Sequence, residues 1–165
     1  MSTATGALNV LRNVFGYPVH HRGRNFYYGS PEAAAAANAL VADLGARAQP
    51  GERLFVGPVD LRQTPYSDAF FYFLFPDLVP ATYFIEMDPG IANAPGSRLA
   101  SDVASADWLI LSNVWTGWTE PNASRDVGSD APNEVVRRDF CLVSDYGDKG
   151  DGQPWFQLYQ RCDRG

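Results

Sequence analysis

Apolar residues repeat with a helical period between residues 33 and 44. Ser30 is a natural N-cap and Pro31 suits the first helical turn. The segment Gln49-Pro50-Gly51 stops a helix. The sequence therefore predicts a helix that begins at Pro31 and ends before residue 49, with one apolar stripe made of Ala33, Ala37, Leu40, Val41 and Leu44.

Short apolar runs of strand length alternate with helical segments further along the chain. Strands are predicted at Arg53–Gly57, Thr82–Met87 and Trp108–Ser112. Helices are predicted at Asp68–Phe75, Ser97–Ala106 and Asn133–Asp139, although the aromatic residues of the first also suit a strand. Alternating strands and helices are typical of a parallel sheet with helices on both faces. We therefore expect an α/β fold, a Rossmann-like three-layer wound sheet that is mostly parallel.

The two ends of the chain have different patterns. Residues 1–29 are expected to be irregular, because glycine and proline interrupt any period, and the pair Tyr27-Tyr28 is expected to pack on the body. Residues 30–165 are expected to form a single α/β domain. Near the C-terminus, the Gly- and Asp-rich segment 146–152 separates two strand-like segments. These predict an antiparallel hairpin at the edge of the sheet.

The two cysteines, Cys141 and Cys162, lie in the two strands of this hairpin. A hairpin centred near residue 151 places them roughly opposite each other. Directly opposite residues have Cβ atoms about 4.5–5.5 Å apart, close to bridging distance. The alternative is two buried thiols that behave as small apolar residues. A disulfide would indicate an oxidising compartment outside the cytoplasm.

Composition narrows the class of partner. The 165 residues include 13 basic and 19 acidic side chains, for a net charge of −6. The sequence has no basic stripe of the kind that binds nucleic acid, so nucleic acid is not expected as a partner. The longest apolar run, residues 69–75, is far shorter than the roughly 20 residues of a membrane span. The opening residues lack signal-peptide features, so the chain is either cytosolic or a piece of a longer protein.

Polar and aromatic residues follow the predicted strands. Ligands of wound sheets bind beyond the carboxyl ends of the strands, where these side chains are expected to converge. Aromatic faces with carboxylates and an amide suit a sugar. The alternative is that the acids cap loop backbone and the tryptophans cover the core. The candidate ligand-binding residues are Asp60, Arg62, Tyr66, Glu86, Asp88, Asn113, Trp115, Trp118 and Glu120.

Catalytic and cofactor motifs do not appear. The first strand is followed by Gly57-Pro58-Val59-Asp60, which has only one of the glycines of a dinucleotide site. Neither a Walker A motif nor a G-x-S-x-G nucleophile elbow is present. The two histidines, His20 and His21, are adjacent and point apart on a strand, so they make a poor metal pair. We expect no catalytic residue, cofactor or metal in this chain.

Four segments together show a family pattern: Arg53–Arg62, Asp68–Phe75, Pro80–Gly90 and Ala106–Leu111. They resemble the extracytoplasmic C-terminal domain of bacterial polytopic membrane glycosyltransferases of the dolichyl-phosphate-mannose protein mannosyltransferase-like type. The match covers roughly residues 50–145, and the terminal hairpin also fits.

The resemblance implies a parent enzyme that uses a polyprenyl-phosphate sugar donor. Its catalytic acids would lie in an early loop between membrane helices, so no catalytic role transfers to any residue here. The chain would be a non-catalytic accessory domain on the extracytoplasmic face of the cell membrane. Its partners would be the transmembrane part of the same polypeptide and a glycan or lipid-linked sugar. The alternatives are a free-standing soluble enzyme acting on a nucleotide or sugar, and a protein-interaction module.

Overall fold

The computed structural model describes residues 16–118 and 120–162, with only the backbone at Arg125. The strands are β1 (Tyr17–His21), β2 (Arg24–Tyr28), β3 (Arg53–Pro58), β4 (Val79–Pro80), β5 (Trp108–Ser112), β6 (Phe140–Tyr146) and β7 (Phe156–Arg161). The α-helices are α1 (Pro31–Arg47), α2 (Phe70–Leu74), α3 (Leu99–Ala104) and α4 (Ala131–Asp139). A 3₁₀ turn spans Ala123–Arg125.

The main sheet is mixed rather than mostly parallel. Its strand order is β4-β3-β5-β7-β6, and a separate two-stranded sheet pairs β1 with β2. Strand β3 runs parallel to β4 and β5, whereas β7 runs antiparallel to both β5 and β6. The prediction of a Rossmann-like three-layer wound sheet is therefore wrong. The C-terminal hairpin supplies two of the five strands, where a wound fold would have parallel ones.

The predicted strand at 82–87 is replaced by turns. Parallel pairing with β3 ends almost at once, after the Ala81 N–H donates to the Leu54 carbonyl. Beyond it, the Met87 N–H donates to the Phe84 carbonyl, and Met87 has a positive φ of 54°. The alternation of buried and exposed side chains stops at Ile85 and Glu86, which are both exposed.

The segment expected to be irregular contains a regular hairpin. Strands β1 and β2 pair antiparallel, with His21 opposite Arg24. The two residues between them, Arg22 and Gly23, both have positive φ, as in the two-residue turns that join twisted strands. Val19 and Tyr28 are buried against the body. Residues 1–15 lie outside the described residues.

Helix α1 matches its sequence signals. The Ser30 hydroxyl accepts a hydrogen bond from the Ala33 N–H, and Pro31 is the first helical residue. The apolar stripe of α1 packs on one face of the sheet, against Leu54 and Val56 of β3. Phe55 lies between these two residues, points to the opposite face of the sheet and packs there with α3 and α4. Side-chain alternation along β3 thus divides the core into two clusters.

A disulfide joins Cys141 and Cys162, with Cα atoms 5.2 Å apart. The predicted bridge is confirmed, but the two residues are diagonal rather than directly opposite. Cys141 pairs with Gln160, and the Cys162 N–H donates to the Asp139 carbonyl just beyond the ladder. The bridge therefore closes the open end of the β6–β7 hairpin.

The remaining helices are shorter than a membrane span. Helix α2 covers five residues of the predicted 68–75, and α3 covers six residues of the predicted 97–106. None of the helices in residues 16–118 and 120–162 combines the length and apolar character needed to cross a bilayer.

Candidate functional site

The loops that follow β3 and β5 begin side by side. The two strands are parallel neighbours, and Pro58 pairs with Ser112 at their carboxyl ends. These loops supply seven of the nine candidate residues, and the structure places six of the seven in two separate places. Asp60 and Arg62 lie in one, and the aromatic residues lie in the other.

The first place is a network of paired charges beside α4. Arg62 forms two hydrogen bonds to the Asp60 carboxylate, at 3.0 and 2.8 Å. Asp130 accepts from Arg137 at 2.7 Å. The Asn133 amide donates to both aspartates and accepts from the Leu61 N–H. Each acid in this network therefore has its partner within the protein.

The charge network also fixes the ionisation of Asp60. Hydrogen bonds from Arg62, with further help from Asn133, lower the pKa of this carboxyl to about 2. The network borders an open cleft of about 350 Å³. Because its two acids and two arginines already pair with one another, it has little left to offer a ligand.

The second place is an aromatic cluster. Tyr66 lies 5.3 Å from Trp115 and 6.4 Å from Trp118, measured between ring centroids, and the two indoles are 5.9 Å apart. The Tyr66 hydroxyl donates to the Glu120 carboxylate, which also accepts from Asn122. Trp118 is 52% exposed. The structure thus brings four candidate residues together, with one indole facing solvent.

Trp115 connects this cluster to an open cleft of about 370 Å³, called here the aromatic cleft. Four segments form its walls: the β1–β2 hairpin, the end of the β3–α2 loop with the start of α2, the loop after β4 and the loop after β5. Aromatic side chains make up much of its surface, together with two carboxyl groups. Its lining residues are Phe26, Tyr27, Tyr28, Gly29, Ser67, Asp68, Ala69, Phe70, Glu86 and Trp115.

Asp68 is the buried acid of the aromatic cleft, at 4% exposure. Its Oδ1 accepts from the Tyr28 hydroxyl at 2.7 Å and from Trp115 Nε1 at 3.3 Å. Its Oδ2 is buried and has no hydrogen-bond partner in the described chain. A polar contact from the Ser112 hydroxyl favours the ionised carboxyl, although no described group makes a full hydrogen bond to Oδ2.

Burial dominates the ionisation of Asp68. It raises the pKa of this carboxyl, and the polar contacts from Ser112, Tyr28 and Trp115 oppose the rise without cancelling it. The same carboxyl and burial also raise the pKa of the Tyr28 phenol. Asp68 therefore holds the Trp115 and Tyr28 side chains in place while its own charge is destabilised.

The remaining candidates divide between the cleft and the scaffold. Glu86 lines the aromatic cleft, is exposed, and forms no hydrogen bond or ion pair with any described residue. Asp88 lies in an exposed turn, where its carbonyl accepts from the Ile91 and Ala92 N–H groups, and it borders neither cleft. Asn113 is buried, and its carbonyl accepts from Lys149 Nζ at 2.8 Å. Asn113 therefore serves the fold through its backbone.

Eight lining residues of the aromatic cleft are absent from the list of candidate residues, and the most informative of them are Asp68, Phe26 and Phe70. Asp68 directly follows Tyr66 and Ser67 in the strand-end loop, and its position alone was a usable signal. Phe26 stacks on Phe70 with ring centroids 4.0 Å apart. The turn formed by Arg22 and Gly23 was the signal for the hairpin that brings Phe26 to the cleft.

Three comparisons with known proteins gave no match: not a family model, a curated protein or a solved structure. Within the described residues, no three His, Cys, Asp or Glu side chains are grouped as they would be around a metal ion.

Proposed function

We propose that this chain is a carbohydrate-binding, non-catalytic accessory domain of a membrane glycosyltransferase that uses a polyprenyl-phosphate sugar donor. The aromatic cleft is the observation that supports this function best. It places Trp115 and Phe70 beside the carboxyl groups of Asp68 and Glu86. Acceptor glycan would bind there.

The combination of aromatic rings and carboxyl groups suits a sugar. The apolar C–H face of a pyranose packs on aromatic rings, while carboxylates accept hydrogen bonds from its hydroxyls. The exposed Trp118, in edge contact with Trp115, extends the aromatic surface beyond the cleft. An extended surface of this kind suits an oligosaccharide better than a single small molecule.

The disulfide supports the proposed location. Bridges of this kind persist in oxidising compartments, and the one between Cys141 and Cys162 fits an extracytoplasmic domain. The sequence resemblance adds the membrane enzyme as the parent. The transmembrane part of the same polypeptide would then be the partner that holds this domain at the membrane.

A binding experiment tests the carbohydrate proposal directly. The chain is titrated calorimetrically with a panel of soluble oligosaccharides, and at least one is expected to bind. Trp115→Ala removes the ring shared by the cleft and the aromatic cluster, and should weaken that binding about thirtyfold, the size of an interface hot spot. Trp118→Ala should weaken it less, because that indole lies at the margin.

Tyr83→Ala is the matched control. Tyr83 is an aromatic residue that is 80% exposed and does not line the cleft, so its loss should leave the affinity unchanged. Unfolding midpoints measured for all variants separate binding from folding. Absence of binding across the panel, or an equal loss in the Tyr83 variant, would contradict the proposal.

A further inference from the structure

The charged groups that line the aromatic cleft are all acidic. Asp68 and Glu86 border it, and none of the described lining residues is basic. The cleft therefore presents negative charge and the negative faces of aromatic rings to whatever enters. Anionic ligands such as phosphates are disfavoured there, because nothing in the lining compensates their charge.

Several other acids near the strand ends have partners within the protein. Asp60 pairs with Arg62, and Asp130 pairs with Arg137. Glu120 accepts from Tyr66 and Asn122. Glu86, in contrast, has no partner in the described chain, and the Oδ2 of the almost completely buried Asp68 is also unpaired.

An unpaired carboxylate oxygen in a buried position costs stability unless something else satisfies it. A neutral hydroxyl would satisfy it in part. An ammonium group offers three N–H donors and a full positive charge, which suits both carboxylates. The rings of Trp115 and Phe70 also attract a cation over their faces.

We propose that the aromatic cleft selects a sugar that bears a protonated amino group. Glu86 provides the outer acceptor for the ammonium, Asp68 provides the inner acceptor, and the aromatic rings pack on the sugar. This inference rests on the proposed carbohydrate-binding function and names the ligand class within it.

The test compares two probes that differ at the amino group. One is the β-1,4-linked tetramer of glucosamine, and the other is its N-acetylated counterpart. Both are titrated at mildly acidic pH, where the amines are protonated. We expect the glucosamine tetramer to bind about tenfold more tightly, and added salt to reduce that preference.

Glu86→Gln keeps the shape of the side chain and removes its charge. It should lower the affinity for the glucosamine tetramer about tenfold and leave that for the N-acetylated tetramer nearly unchanged. Glu134→Gln, at an exposed position on α4 that does not line the cleft, is the matched control and should change neither.

Equal affinity for the two tetramers, or a preference that survives in Glu86→Gln, would overturn this inference. If other neutral oligosaccharides still bind and respond to Trp115→Ala, the proposed function stands without it. If no oligosaccharide binds, both proposals fail together.

Discussion

Two aspartates in the segment between β3 and α2 have opposite environments. Asp60 lies in a network where Arg62 and Asn133 donate to its carboxylate, and its pKa falls to about 2. Asp68 lies in the wall of the aromatic cleft with one oxygen unpaired, and burial raises its pKa. The fold stabilises one charge and destabilises the other.

We propose that this difference separates an acid that stabilises the fold from one that binds a ligand. A paired carboxylate such as Asp60 ties α4 to the loop after β3, since Asn133 bonds to both. A carboxylate that the fold leaves unpaired is a cost to stability, and proteins keep such groups where a ligand completes their contacts. We propose that Asp68, whose Oδ2 is buried without a hydrogen-bond partner, belongs to this second kind.

The largest effect is expected from removing the disulfide. This change tests whether the Asp60 network and the aromatic cleft are independent of the bridge. In the double variant Cys141→Ser/Cys162→Ser, the free energy of unfolding should fall by about 3 kcal/mol, as for a closed loop of this length. Glycan affinity should not change. The bridge lies at the end of the sheet where β5 begins, whereas the cleft lies at the opposite end, beyond the last residue of β5. Loss of affinity in a folded double variant would show that the cleft depends on the hairpin.

A smaller effect is expected in acid, where Asp60 loses its charge. Because its pKa is lower in the folded chain than in the unfolded one, its contribution is present above about pH 4 and is lost as the pH falls towards 2. Since Arg62 is 45% exposed, that contribution is about 1 kcal/mol rather than the full linkage value. Urea unfolding at several pH values should show a weaker acid dependence in Asp60→Asn. An unchanged profile would mean that the network does not stabilise the fold.

Local signals along the chain predicted the four α-helices and the two central strands β3 and β5. Ser30 and Pro31 define the start of α1 through contacts within a single turn. The segment 82–87 misled because Thr82 to Ile85 alternate between buried and exposed positions, as in a strand, and the alternation fails only at Glu86. Whether that segment joins the sheet depends on a neighbour in space, which no local pattern describes.

The candidate site was predicted only in part, because local patterns do not show which distant segments meet in space. Residues that share a loop, such as Trp115, Trp118 and Glu120, were grouped correctly by position. The separation of Asp60 from them depends on α4, which supplies Asn133 and Asp130 from far along the chain. The hairpin wall with Phe26 likewise comes from a segment that the sequence pattern left without structure.

The most direct measurement compares Asp68→Asn with Asp60→Asn, for stability at neutral pH and for binding of the glucosamine tetramer at the mildly acidic pH where its amines are protonated. Asp68→Asn keeps the acceptor for Tyr28 and Trp115 and removes a charge whose cost grows as the pH rises above the ordinary aspartate value. It should be as stable as the parent or up to about 1 kcal/mol more stable, with weakened binding. Asp60→Asn should be less stable and bind normally. A destabilised Asp68→Asn that still binds with full affinity would contradict the assignment of Asp68 to ligand binding.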